Sequence, residues 1–240
     1  MPGGAGRYES KVAVVTGARR GIGKVIAAHF LAEGAQVVGF ARETATLLHD
    51  HYVHISLDVG DDEAVRAAFR EIGRRFSSLD ILVNNAAVLT SQYALLMPTS
   101  KAREMVATNF LGTLFVSREA AKLMSRRKYG RIINIGSMAA ALEPPGDSVY
   151  AATKAAATTL AGVLAKELAG FHITYNTLGV TAYPSDMLEQ LPRDKIEAVV
   201  ATLPLPRFAT DDDILNVIDF FASERSAYVT AQTVFLGGVH

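Results

Sequence analysis

Seven short runs of β-branched and aliphatic residues recur along this chain, at 11–17, 35–41, 51–59, 79–87, 130–137, 172–180 and 232–238. Stretches with helical periodicity separate most of them, notably at 21–34, 61–76, 99–127 and 148–170, with further helices expected between 180 and 232. The runs are almost continuously apolar and lack the in/out alternation of a sheet with one wet face. Parallel strands covered on both faces read this way. Regular strand–helix alternation then predicts an α/β fold built on a doubly wound parallel sheet of about seven strands, with helices on both faces. The connection at 42–50 is too short for a full crossover helix and predicts a small helix or an irregular turn. With 240 residues and no linker or repeat, residues 11–240 are expected to form a single domain, and residues 1–10 a flexible tail.

Gly17, Gly21 and Gly23 fall between the first strand and the first helix, a Rossmann-like arrangement. Glycine there lets backbone N–H groups approach a phosphate, and the helix N-terminus adds partial positive charge. The second strand ends in Ala41 and Arg42, with no acid before Glu43. An acid would accept from a ribose 2′-hydroxyl, whereas arginine suits a 2′-phosphate. Arg42, with Arg20 inside the glycine turn, therefore points to NADP(H) as the preferred cofactor, NAD(H) being the alternative. The competing reading leaves both arginines solvated, or Arg42 paired with Glu43. Asp58, after the third strand, could meet the adenine amino group or cap the helix that starts near Asp61.

Lys+Arg and Asp+Glu both number 24, so the net charge is zero and no basic stripe suggests a nucleic-acid partner. The chain has no cysteine, which excludes disulfides, thiolate metal sites and cysteine nucleophiles and fits a cytoplasmic protein. The start of the chain has no apolar leader, and no run is long enough to span a membrane. His49, His51 and His54 cluster without a carboxylate set, so no metal site is expected.

The alanine-rich helix at 148–170 carries Tyr150 and Lys154 four residues apart, hence on one face. A lysine inside an apolar stripe is costly unless it has a partner. Taken alone, the two could be a packed tyrosine and a snorkelling lysine. The run Thr16 to Gly23, Asn84-Asn85-Ala86-Ala87, Asn109, Ser137 and Tyr150-x-x-x-Lys154 together resemble a short-chain dehydrogenase/reductase, especially 3-oxoacyl-acyl-carrier-protein reductases and related ketoreductases. The match runs from about residue 11 to the C-terminus and includes the 13-residue separation of Ser137 and Tyr150.

The resemblance implies reduction of a ketone to a secondary alcohol, or the reverse, by nicotinamide hydride transfer. Tyr150 would be the acid in reduction and the base in oxidation. Ionising an ordinary phenol at pH 7 costs about 4 kcal/mol, and the Lys154 ammonium would favour the anion. Lys154 would also hold the nicotinamide ribose, Ser137 would bond the substrate oxygen, and Asn109 would hold a water in a relay to Lys154. The cofactor would be lined by Gly17, Arg19, Arg20, Gly21, Ile22 and Gly23 at the turn, and by Arg42, Asp58 and Val59 near the adenosine. Asn85, Ala86, Ala87, Tyr150, Lys154 and Ser185 would complete its site, while Asn84 would bond neighbouring strands. Two positions depart from the family pattern. Ala87 replaces a glycine, and Val180-Thr181 replaces a Pro-Gly pair in the loop that shapes the nicotinamide pocket. Residues 182–207 would form a substrate lid, whose Met187, Leu188, Leu191 and Ile196 could cover an apolar substrate or pack on the domain. No carrier site emerges from the scattered Arg193, Lys195 and Arg207. The final strand implies a homodimer or homotetramer. The substrate would be a small carbonyl or alcohol, its identity open among carrier thioesters, sugars and polyketides. The alternatives are an NAD-dependent alcohol dehydrogenase of the same family, or a non-catalytic dinucleotide-binding protein, which would be expected to lack Tyr150 or Lys154.

Overall fold

The computed structural model describes residues 6–190 and 193–239, without the side chain of Lys195. Leu191 of the expected lid thus lies outside the described residues. Among the described residues, seven parallel strands form one sheet in the order β3-β2-β1-β4-β5-β6-β7. They are β1 (Val12–Thr16), β2 (Gln36–Ala41), β3 (Tyr52–Ser56), β4 (Ile81–Asn84), β5 (Gly130–Ser137), β6 (Ile173–Val180) and β7 (Thr233–Phe235). The helices are α1 (Gly21–Ala32), α2 (Asp62–Arg75), α3 (Thr99–Met105), α4 (Thr113–Arg127), α5 (Ala139–Leu142), α6 (Ser148–Leu168), α7 (Arg193–Thr202) and α8 (Asp211–Ala222). The connection between β2 and β3 is irregular.

The two faces of β1 explain the continuous apolar runs. Val12 and Val14 join one core with Val65, Phe69 and Ile72 of α2, Val116 and Met124 of α4, and Ala161 and Ala165 of α6. Ala13 and Val15 join a second core with Ile26 and Phe30 of α1 and Ile214, Ile218 and Phe221 of α8. Each strand residue meets a helix layer whichever way it points, so no polar alternation survives.

Two elements differ from the sequence reading. The stretch 99–127 is helical throughout but holds a π turn at Val106–Gly112, between α3 and α4. Such turns add a residue to the helix and occur often at functional sites; Asn109 lies within this one. Residues 6–10, expected in the loose tail, are docked. Tyr8 is buried, packs edge-on to Phe30 and donates to Asp219 Oδ1 at 2.5 Å. Residues 1–5 lie outside the described set.

Strand order reverses between β1 and β4, and the crevice beyond the C-terminal ends of the strands opens at this switch point, where ligands bind in doubly wound sheets. Asn84 ties the sheet together below it. Its Nδ2 lies 2.8 Å from Ser117 Oγ, 3.0 Å from Asn134 Oδ1 and 3.3 Å from Tyr175 OH.

Candidate active site

A cleft of about 790 Å³ lies above the switch point, bounded by the glycine turn, the ends of β2, β4, β5 and β6, the start of α6 and the segment after β6. Gly17 and Gly21 adopt φ of +66° and +53°, which side chains resist. A methyl group on Gly21 would meet only Ser185 Cβ, at 4.0 Å, so that face of the turn is open to the cleft. Asn85 fixes the turn from behind, its Nδ2 donating to Thr16 O at 2.9 Å and Gly17 O at 3.3 Å. Ala86 N donates to Thr16 Oγ1. Ala87 is not among the residues with positive φ, so its methyl group is accommodated without backbone strain. This cradle, with the N-terminus of α1 beneath it, fits the phosphates of a dinucleotide.

At the adenosine end the arginines are arranged differently from the sequence reading. Arg20 turns away from the end of β2 and pairs with Asp186, in the segment after β6, at 2.8 Å. It is Arg19 that reaches the β2 side, where it pairs with Glu43 at 2.9 Å, its Nε buried without a partner. Arg42 lies 3.8 Å from Glu104 and not on Glu43. Asp58 does not cap α2. Its Oδ1 accepts from Gly60 N, while Asp61 accepts from Glu63 N and Ala64 N. Asp58 and Val59 both line the cleft, as do Ile22 and Ser185.

At the other end stand Ser137, Tyr150 and Lys154. The buried stripe of α6 runs Tyr150, Lys154, Ala157, Ala161 and Ala165, a helical repeat against the sheet. The same periodicity that seats alanines on the strands thus carries the phenol and the amine into the interior. Lys154 Nζ donates to Ile135 O at 2.8 Å and lies 5.8 Å from the centroid of the Tyr150 ring. Burial pushes the phenol up to about 12, against the pull of the Ser137 hydroxyl, with the charge of Asp147 adding to the rise. Burial brings the Lys154 ammonium down to about 8. The expectation that Lys154 makes the phenol acidic is therefore corrected: desolvation outweighs everything else acting on Tyr150.

Asn109 is buried, and its side chain is engaged by the protein. Its Nδ2 donates to Val88 O at 2.9 Å and Thr153 Oγ1 at 3.1 Å, and its Oδ1 accepts from Val88 N at 2.8 Å. The amide locks the strand-end segment after β4 to α6, and its backbone carbonyl accepts from Thr113 Oγ1. Val180 pairs with Ser137 at the end of the sheet, and Val180 O accepts from Met138 N, so the strand continues where a Pro-Gly pair was missing. In the expected lid, Ile196 and Val200 pack inward with Ala182, Met138 and Leu188, while Met187 and Val199 line the cleft. The sequence reading missed Asp147, which also lines the cleft. Its signal was its position three residues before Tyr150, one turn away on the same face.

The family model for short chain dehydrogenases matches residues 11–196. The chain is 35% identical over 239 residues to a 3-oxoacyl-[acyl-carrier-protein] reductase of Staphylococcus aureus, covering 95% of this chain and 97% of the relative. It is 32% identical over 237 residues to the Escherichia coli reductase of the same name, covering 96% and 97%. Among solved structures, it is similar to the ligand-free aldohexose dehydrogenase of Thermoplasma acidophilum, with a TM-score of 0.90, 25% identity and coverage of 98% and 96%. Levodione reductase shares the fold, with a TM-score of 0.90, 23% identity and coverage of 97% and 98%.

Proposed function

The chain belongs to the short-chain dehydrogenase family of NAD(P)-dependent oxidoreductases acting between alcohols and carbonyls, and from that premise we propose that it works as an NADP(H)-dependent ketone reductase with Tyr150 as the proton donor. The observation that carries this reading is the burial of Tyr150 and Lys154 side by side at the end of the cleft opposite the arginines.

A reduced nicotinamide bound there supplies a hydride to the carbonyl carbon. The residues of the chain do the rest. The Ser137 hydroxyl orients the carbonyl oxygen, and Tyr150 gives its phenolic proton to that oxygen as the C=O bond becomes C–O–H. A phenol held at about 12 stays protonated at every physiological pH, so the donor is always loaded. Running in reverse from phenolate at pH 7 would cost on the order of 7 kcal/mol, against about 4 for an ordinary phenol. Lys154 spends one of its N–H groups on Ile135 O, which leaves donors for the ribose hydroxyls. Arg19 and Arg42 would receive the 2′-phosphate, exchanging carboxylate partners for it. The Arg19–Glu43 pair favours a second reading, in which NAD(H) is used, because an acid already stands beside the adenosine end.

A panel of ketones followed by nicotinamide absorbance tests the reading, with Tyr150→Phe as the control. The wild type should oxidise NADPH in the presence of a ketone, and the variant should bind NADPH equally well but turn over far more slowly. Equal rates in the two proteins would refute the role of Tyr150. Tighter binding of NADH than of NADPH would favour the second reading.

A further inference from the structure

Leu89, Met138, Leu142, Met187, Leu188 and Ile196 give the cleft an apolar wall, interrupted by the hydroxyls of Ser91, Thr181 and Thr202. One carboxylate there has no evident employment. Asp147 precedes α6 at the N-cap position, where aspartate ordinarily accepts from the N2 or N3 amide. Asp61 does this for α2, and Thr210 forms a capping box on α8. The Asp147 side chain makes no such bond, and its Oδ1 is shielded from solvent without any hydrogen-bond partner. Leaving a buried acceptor unsatisfied is costly, so an orphan of this kind asks for an explanation.

Its position is built. Gly146 takes φ +99° and its carbonyl accepts from Gln92 N at 2.7 Å, while Asp147 N donates to Pro144 O at 3.2 Å. Asp147 immediately precedes α6, three residues before Tyr150 and seven before Lys154, and the charge of Asp147 is felt at the Tyr150 phenol. A molecule whose carbonyl reaches Tyr150 therefore has its neighbouring atoms beside Asp147. Asp186, which lines the cleft beside the glycine turn, is already paired with Arg20. Among the described residues lining the substrate end, no arginine or histidine is free to meet a carboxylate or phosphate on a substrate.

We propose that Asp147 is a substrate-binding residue, which accepts a hydrogen bond from a hydroxyl or ammonium group carried beside the reacting carbonyl. The substrate class is then an apolar ketone bearing an adjacent donor and no anionic group next to it. This rests on the ketone-reductase reading and names the substrate class of that same site.

The test compares 2-hydroxycyclohexanone and 2-aminocyclohexanone with 2-methylcyclohexanone, which has similar shape and no donor. With the wild type, at least one donor-bearing ketone should exceed the methyl ketone in kcat/KM by about tenfold or more. Asp147→Ala should remove that advantage. Asp147→Asn separates the two donors: it should keep part of a preference for the hydroxyl and lose a preference for the ammonium. A donor preference that persists in Asp147→Ala overturns the proposal, as does an equal fall for all three ketones. A binding measurement keeps the two readings apart. trans-Cyclohexane-1,2-diol should raise the Tm of the NADPH-loaded wild type more than cyclohexanol does, and Asp147→Ala should abolish the difference. If no ketone is turned over, the reductase reading fails; if the diol and cyclohexanol stabilise the wild type equally, the Asp147 proposal fails.

Discussion

The two ends of the cleft treat charge in opposite ways. At the adenosine end and the glycine turn, Arg19, Arg42 and Arg20 lie in or near solvent, each beside a carboxylate that a ligand could replace. At the substrate end, Tyr150 and Lys154 are buried against the sheet, and their proton affinities are set by burial. Exposed ion pairs are worth about 0–1 kcal/mol because water and salt compete for both partners. Buried groups have no such competitor, so every neighbour counts. The first end is built for exchange, the second for a fixed chemical task.

The largest expected effect lies at the buried end: Tyr150→Phe should lower kcat by about 10³-fold with little change in NADPH affinity, read in steady-state and binding titrations. A loss shared equally by binding and turnover would instead make Tyr150 part of the cofactor site. Next is a stability effect with a defined pH window. Lys154 goes from 10.5 in the unfolded chain to about 8 in the folded one, so between those values the unfolded chain holds more protons and wild-type stability rises with pH. Below about 8 both states are charged and the full burial cost is present. Lys154→Met should therefore compare best with wild type below pH 8, its relative advantage shrinking toward pH 10.5, as measured by denaturant titrations. A difference independent of pH would show that the amine is not desolvated.

Smaller effects belong to the glycine turn and the arginines. A methyl group on Gly23 would stand 2.4 Å from Gly17 O, so Gly23→Ala should destabilise the fold by about 1–3 kcal/mol and loosen the dinucleotide site. Arg42→Ala should weaken NADPH by about tenfold and leave NADH nearly unchanged; equal losses would contradict the 2′-phosphate assignment. Smallest of all, Asp186→Asn breaks only the exposed pair with Arg20 and should shift stability by less than about 1 kcal/mol. A loss as large as that of Gly23→Ala would mean the two ends are less different than their exposures suggest.

What could be read from the sequence was whatever depends on local pattern. The strand runs were legible because both faces of the sheet are covered, and the spacing of Tyr150 and Lys154 because one helix carries both. What needed the structure depends on distant partners. Arg19 and Arg20 are neighbours in sequence, and only the placement of Glu43 and Asp186 decides which faces the adenosine end. Tyr8 looked like tail because its partner, Asp219, is 211 residues away. The π turn at 106–112 leaves no mark in a helical repeat, yet it holds the Asn109 amide that bonds Val88 and Thr153. The proton affinity of Tyr150 was misjudged from spacing because a nearby cation is visible in sequence and the depth of burial is not.

The central claim is that burial keeps Tyr150 a loaded proton donor, and a tyrosine ring-carbon NMR titration of ¹³C-labelled protein, with Tyr150→Phe for assignment, tests it most directly. The account requires the Tyr150 signal to keep the chemical shift of a neutral phenol past pH 10, where an ordinary tyrosine is half ionised. A Tyr150 signal that moves to the phenolate position between pH 7 and 9 would contradict it.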